Sequence, residues 1–135
     1  MGSVETLAKY RYQRALEDLA AAKEMVSSGM YKPSLNCSYY SIFHAMRAIT
    51  ALEGFDSSKH SGVIAYFNQN FVKTGIFAKE ASKIIKGASI MREQSEYSDF
   101  FIALRQDAEE QIERAKEFIG EVMRYLQNKQ VLLEY

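Results

Sequence analysis

The sequence predicts an all-α protein, an up-down four-helix bundle with an extra short helix. Three observations carry that reading. Apolar residues recur at steps of three and four along most of the chain, the spacing of one helix face. Seven glycines and one proline among 135 residues are too few to supply the turns of an all-β fold. Gly29, Gly54 and Gly75 fall between the periodic runs.

A first helix is predicted from about Val4 to Ser28, on the stripe Tyr12, Ala15, Leu19, Ala22, Val26. Gly29 would end it by taking a left-handed conformation. Pro33 suits the first turn of a second helix, whose stripe is Leu35, Tyr39, Ile42, Met46, Ile49, with Gly54 after its end. So short a connection makes these two helices antiparallel neighbours. The loop Phe55 to Ser61 is rich in capping residues and leads into a short helix, roughly Gly62 to Lys73, closed by Gly75. A further helix from about Phe77 carries Phe77, Ala81, Ile84, Ala88 and Met91. The last starts near Asp99 or Phe100 and carries Phe101, Leu104, Ala108, Ile112, Ala115, Ile119, Val122 and Leu126. It would be about 40 Å long, more than a compact domain of this size spans. Its end, after Lys129, is expected to project or to pack on a partner.

The length is that of one domain, residues 1–135. Apolar residues at 47% and charged residues at 25% are the balance of an ordinary globular protein. The single cysteine, Cys37, excludes an internal disulfide and a multi-cysteine zinc site, and fits a reducing compartment. The longest uncharged run, Pro33 to Met46, is full of Ser, Asn and Tyr, so no membrane span is expected. The start, MGSVETLAKYRYQ, lacks the apolar stretch of a secretory signal. Its Met-Gly-Ser reads as a tag remnant or the opening of a myristoylation motif. The cytoplasm is the expected location.

A net charge of zero hides an asymmetry. Residues 31–92 hold eight basic and three acidic side chains, and residues 93–135 hold five basic and ten acidic. The neutral total argues against strong nonspecific nucleic-acid binding but allows a local basic surface. Mutual neutralisation across helix contacts explains the asymmetry equally well. No DNA-specific motif stands out.

Several chemistries lack their residues. Carboxylate-bridged metal pairs in bundles need Glu-x-x-His, but Ser41 and Ser57 lie three residues before His44 and His60. There is no phosphate-binding glycine loop and no His-Glu-x-x-His. Neither a metal nor a cofactor is expected.

Two groups of residues do suggest a site. Asn36, Tyr40, Phe43 and Arg47 share one face of the second helix, with His44 beside them, rotated roughly a third of a turn from the apolar stripe. Aromatics mixed with amide, imidazole and guanidinium suit a base and a phosphate. The same face would equally suit packing on another subunit or on the last helix. Arg92 lies about 60° from Phe77 around its helix, at the margin of the apolar face, while Lys79, Lys83 and Lys86 lie opposite. A guanidinium there needs a partner: Glu96, an acidic residue of the last helix, or a substrate phosphate. Tyr97 follows near the helix end. His60, beside Lys59 in a loop before a helix start, is a cap or packing residue, or an acid-base group at an anion-favouring position.

The segments ALEDLAAAKEMVSSGMYKPSLNCSYYSIFHAMRA, KHSGVIAYFNQNFVKTG and IMREQSEYSDF cover most of residues 15–101. In order and spacing the chain resembles the HEPN family (higher eukaryotes and prokaryotes nucleotide-binding), in its small stand-alone prokaryotic form. The Lys-His-Ser-Gly-Val and Asn-x-x-Tyr-Tyr-x-x-Phe-His patterns carry most of the likeness. The resemblance implies a helical bundle, usually a homodimer, whose cleft binds nucleotide or RNA. It also implies a minimal nucleotidyltransferase as partner in a toxin–antitoxin pair. Active members resemble metal-independent ribonucleases with Arg, a spacer of four to six residues, then His. The histidine would deprotonate the ribose 2′-hydroxyl while the arginine stabilises phosphate charge. Arg92 matches that arginine, but Tyr97 stands at the first histidine position, and tyrosine is a poor base at neutral pH. A tyrosine two residues beyond the histidine, which the partner modifies in some members, is here Asp99.

The expected function is therefore a nucleotide- or RNA-associated HEPN protein without the standard ribonuclease chemistry. Its candidate residues are Asn36, Tyr40, His44, Arg47, Lys59, His60, Arg92 and Tyr97. The alternatives are an inert helical interaction module, and a metal-independent ribonuclease with a relocated histidine.

Overall fold

The computed structural model describes residues 3–133; the Met1-Gly2 start lies outside them. Five α-helices follow in order: α1 Ser3–Ser27, α2 Tyr31–Leu52, α3 His60–Phe67, α4 Lys79–Tyr97 and α5 Arg105–Asn128, with a π-helical turn, Asn68–Val72, continuing α3. Among the described residues there is no strand.

The α1 stripe buries as expected, with Ala8 and Arg11 added at its N-terminal end. Gly29 takes φ +76°. The Met30 N–H reaches the Met25 carbonyl at 2.7 Å and the Gly29 N–H that of Val26 at 3.0 Å, the paired bonds that stop a helix at a left-handed residue. Gly54 ends α2 in the same way, with Phe55 N–H on Thr50 O and Gly54 N–H on Ala51 O. The helices are antiparallel. Ser34 Oγ donates to Ala22 O at 2.9 Å near one end, and Arg11 Nη1 donates to Arg47 O at 3.3 Å near the other. Ala8, Ala15, Ala22, Ala45 and Ala48 are all fully buried, and such small side chains let two helix backbones approach closely.

Helix α2 is central, packing against α1, α3, α4 and α5. Its stripe is buried throughout, as are Ser34, Ser38 and Ser41. Beside it lies an aromatic cluster of Phe67, Phe71, Phe77 and Phe118, with ring centroids between 5.0 and 6.3 Å apart, the range of favourable aromatic pairing.

Four expectations from the sequence are corrected. The short helix begins at His60 rather than Gly62, so His60 is its first residue and not a loop residue. Phe77 precedes α4, which starts at Lys79. Its ring is still buried, because its N–H bonds to Phe71 O at 2.7 Å and turns the chain inward. The last helix starts at Arg105, where the Asp107 carboxylate accepts the Leu104 N–H at 3.1 Å. Residues 98–104 are consequently outside any helix, and Phe100, Ile102 and Leu104 point outward. Finally, the chain after Lys129 does not project as far as it is described. Gln130 takes φ +62°, Val131 N–H bonds to Leu126 O at 2.9 Å, and Val131 is buried. With 24 residues α5 matches the 25 of α1, so the bundle is elongated enough to flank the whole helix.

No described helix is long and apolar enough to cross a membrane.

Candidate functional site: a groove lined by arginine, histidine and tyrosine

The polar-aromatic face of α2 packs against α4 and the start of α3, rather than against α5. Asn36 Oδ1 accepts a hydrogen bond from Ser95 Oγ at 3.1 Å. One turn along, the Tyr40 hydroxyl accepts from Arg92 Nη2 at 3.2 Å. Arg92 also pairs with Glu96 at 3.4 Å, one of the partners its marginal position called for. Its guanidinium carbon stands 5.0 Å from the Tyr39 ring centroid and 5.4 Å from that of Tyr40, within cation–π range. The Arg92 Nε is buried with no protein partner.

His60 meets the same tyrosines from the other side. Its Nδ1 is 2.9 Å from the Tyr39 hydroxyl, and its ring stacks on Phe43 with centroids 4.0 Å apart. Its centroid is 5.8 Å from that of Tyr39 and from that of Tyr40. Tyr39 thus touches both Arg92 and His60. Burial, then the charges of Arg92 and Arg47, lower the His60 pKa, so the ring is neutral at neutral pH. With the proton on Nδ1, donated to Tyr39, Nε2 is a free acceptor; if Tyr39 donates instead, Nε2 carries the proton.

On the other side of Phe43 and His60 lies a shallow pocket of about 430 Å³, lined by these two with Arg47, Asp56, Ser57 and Ser58. Arg47 Nη2 donates to Asp56 Oδ1 at 2.9 Å, and Arg11 Nη2 stands 3.6 Å from Asp56 Oδ2. The Arg47 hydrogen bond, then that of the Ser57 N–H, hold the Asp56 carboxyl below the usual range. A second shallow pocket, about 540 Å³, opens at the C-terminal end of α4 beside Arg92, Glu93, Gln94, Tyr97 and Ser98.

These contacts bring Asn36, Tyr40, His60 and Arg92 together along α2, and Arg47 joins His60 in the lining of the pocket beyond Phe43. His44 stands behind it, 3.6 Å from Asp18. Burial, then the charges of Arg14, Arg47 and Arg11, lower the His44 pKa to about 4, so this contact is not an ion pair at neutral pH. Lys59 is exposed and immediately precedes α3. Tyr97 is 72% exposed on the last turn of α4. Sequence reasoning missed three participants. Tyr39 counted only as core, although its hydroxyl is polar. Arg11 broke the α1 stripe at helical spacing, a signal that was present. Asp56 gave no signal, because nothing local ties it to α1. Among the described residues no three His, Cys, Asp or Glu side chains gather closely enough to hold a metal.

This is an all-α bundle whose central helix presents Arg47 and stacked aromatics, with Arg92 of α4 packed beside them, residue types that suit an anion and a flat ring. The chain belongs to the HEPN domain family, which it matches over residues 8–126. A UPF0332 protein of Thermotoga maritima is 29% identical over 95% of this chain and 97% of its own length. A Methanocaldococcus jannaschii protein named "Putative toxin" is 27% identical over 90% of this chain and 88% of its own. The crystal structure of an archaeal HEPN homologue superposes with a TM-score of 0.64 at 19% identity, covering 88% of this chain and 97% of that one. That likeness is one of fold.

Proposed function

We propose that this chain is the toxin-like member of a two-protein system, binding nucleotide or RNA in the groove between α2, α4 and the start of α3. It would act as a homodimer in the cytoplasm, beside a minimal nucleotidyltransferase partner. The observation that carries this reading is Tyr39, which holds His60 by its hydroxyl and has Arg92 over its ring. A cation, a neutral imidazole and aromatic faces within one groove suit a phosphate joined to a base. The "Putative toxin" name of a relative matching most of the chain supports the toxin-like part.

A second reading is favoured by the same contact. His60, not position 97, would supply the imidazole of a metal-independent ribonuclease. Its Nε2 would take the 2′-hydroxyl proton, the 2′-oxygen would attack the adjacent phosphorus to give a cyclic phosphate, and the 5′-oxygen would leave, taking a proton from solvent. Arg92 would stabilise the charge that builds on phosphate.

RNA binding and cleavage by wild type, Arg92→Ala and His60→Ala, each checked for folding by circular dichroism, tests both. Binding lost in folded Arg92→Ala, without cleavage by any form, supports the first reading. Cleavage that disappears in both folded variants supports the second. If wild type neither binds nor cleaves, and carries no copurified nucleotide, an inert interaction module replaces both.

A further inference from the structure

Asp56 is held in an unusual way for so exposed a carboxylate. Its side chain is 61% accessible, yet it faces the guanidinium groups of Arg11 and Arg47, which are only 10% and 24% accessible. Two cations set side by side below the surface repel each other, and only an anion between them relieves that. Asp56 does so incompletely. It takes one hydrogen bond from Arg47, while Arg11 remains at 3.6 Å, beyond hydrogen-bond length. The Arg47 Nε is buried with no protein partner. A carboxylate carries one charge; a phosphate offers more acceptor oxygens in a tetrahedral array that two guanidinium groups can share.

The surroundings fit a phosphate that is part of a nucleotide. The pocket that holds Asp56 is also lined by Ser57, Ser58, Phe43 and His60. Asp56 comes from the short connection between α2 and α3, whereas Arg11 and Arg47 are fixed on long helices. The arginines are thus a rigid receptor and the carboxylate the displaceable part. Ser57 Oγ, which accepts the Lys59 N–H at 3.2 Å, ties that connection to the start of α3.

We propose that Arg11 and Arg47 form a phosphate subsite distinct from Arg92, and that the Asp56 carboxylate fills it as an internal competitor of a nucleotide phosphate. This rests on the reading of the groove as nucleotide- or RNA-binding. It adds which phosphate contacts lie beyond Arg92, and a built-in restraint on affinity.

The test compares wild type, Asp56→Asn, Arg92→Ala, Asp56→Asn/Arg47→Gln and Asp56→Asn/Arg92→Ala. Three probes are titrated: inorganic phosphate, adenosine monophosphate and a short fluorescent oligoribonucleotide. Asparagine keeps an acceptor for the Ser57 N–H, and thermal melts establish that each variant is folded. If Asp56→Asn fails to fold, Asp56→Ser replaces it. The expected result is about tenfold tighter probe binding by Asp56→Asn, erased by Arg47→Gln and retained as a ratio against Arg92→Ala alone. Equal affinity in wild type and Asp56→Asn, or a gain that survives Arg47→Gln, overturns the subsite even when the oligoribonucleotide binds both. Arg47-dependent capture of inorganic phosphate by Asp56→Asn, with no binding of either nucleotide probe, upholds the subsite and removes the nucleotide reading. The monophosphate and oligoribonucleotide arms separate a terminal phosphate from a phosphodiester as the natural occupant.

Discussion

The imidazole of His60 lies on the ring of Phe43, with centroids 4.0 Å apart and 25° between the planes. This stacking joins the first residue of α3 to the middle of α2 and sets the imidazole between two arginines. Arg47 stands 5.9 Å from the other partner of the stack, Phe43, and Arg92 shares Tyr39 with His60. The position of His60 is therefore a product of packing and not of its neighbours in sequence.

Arg92→Ala should leave the fold intact. The variant loses a hydrogen bond to Tyr40, a partly exposed pair with Glu96 and the cation–π contacts with Tyr39 and Tyr40, together worth about 2 to 4 kcal/mol. Urea denaturation with unchanged helical circular dichroism would agree. Loss of helix content at neutral pH would make Arg92 a structural pin.

Stability should fall on mild acidification through His44. Its folded pKa of about 4 lies below the value of 6.5 for an unperturbed ring. The unfolded chain therefore binds more protons between those values, and stability is lost as pH drops through that window. The effect reaches up to about 3 kcal/mol. His60 shifts in the same direction, while Asp18, whose pKa burial raises, acts oppositely at the acid end. Melting temperatures of wild type and His44→Gln at several pH values between neutrality and 4 check this; the variant should show the flatter profile.

Phe77→Ala should cost about 3 to 5 kcal/mol. The ring is 2% exposed and touches Phe67, Phe71, Phe118 and Tyr125. The loss should appear in the denaturation midpoint. Because the residue is remote from the groove, affinity of the folded variant for RNA should be unchanged.

Gly62→Ala should reverse the usual preference of helices for alanine. A Cβ there would lie 2.5 Å from Ser57 Oγ and 3.1 Å from its Cβ. Ser57 must then move and release the Lys59 N–H, offsetting the gain of about 1 kcal/mol normal for this exchange. A raised melting temperature would show that the connection carrying Asp56 yields freely.

The elements were legible where local rules decide them. The α1 and α2 stripes, and the stops at Gly29 and Gly54, follow from helical spacing and from the tolerance of glycine for positive φ. Boundaries were misread where packing overrode pattern. Phe77 and Phe101 sit at helical spacing from their stripes, yet both lie outside helices. The end of α5 was equally hidden, since Gln130 rather than glycine takes the left-handed turn.

By itself the sequence determined an all-α bundle with α1 and α2 antiparallel, and it placed Asn36, Tyr40, Phe43 and Arg47 on one face of α2. These follow from periodicity and loop length, which act over a few residues. Only the tertiary structure decided that Arg92, from 52 residues away, meets Tyr40, that His60 meets Tyr39, and that Arg11 meets Asp56. Such meetings depend on how helices pack and rotate against one another, where long-range burial selects among arrangements that local spacing leaves equal.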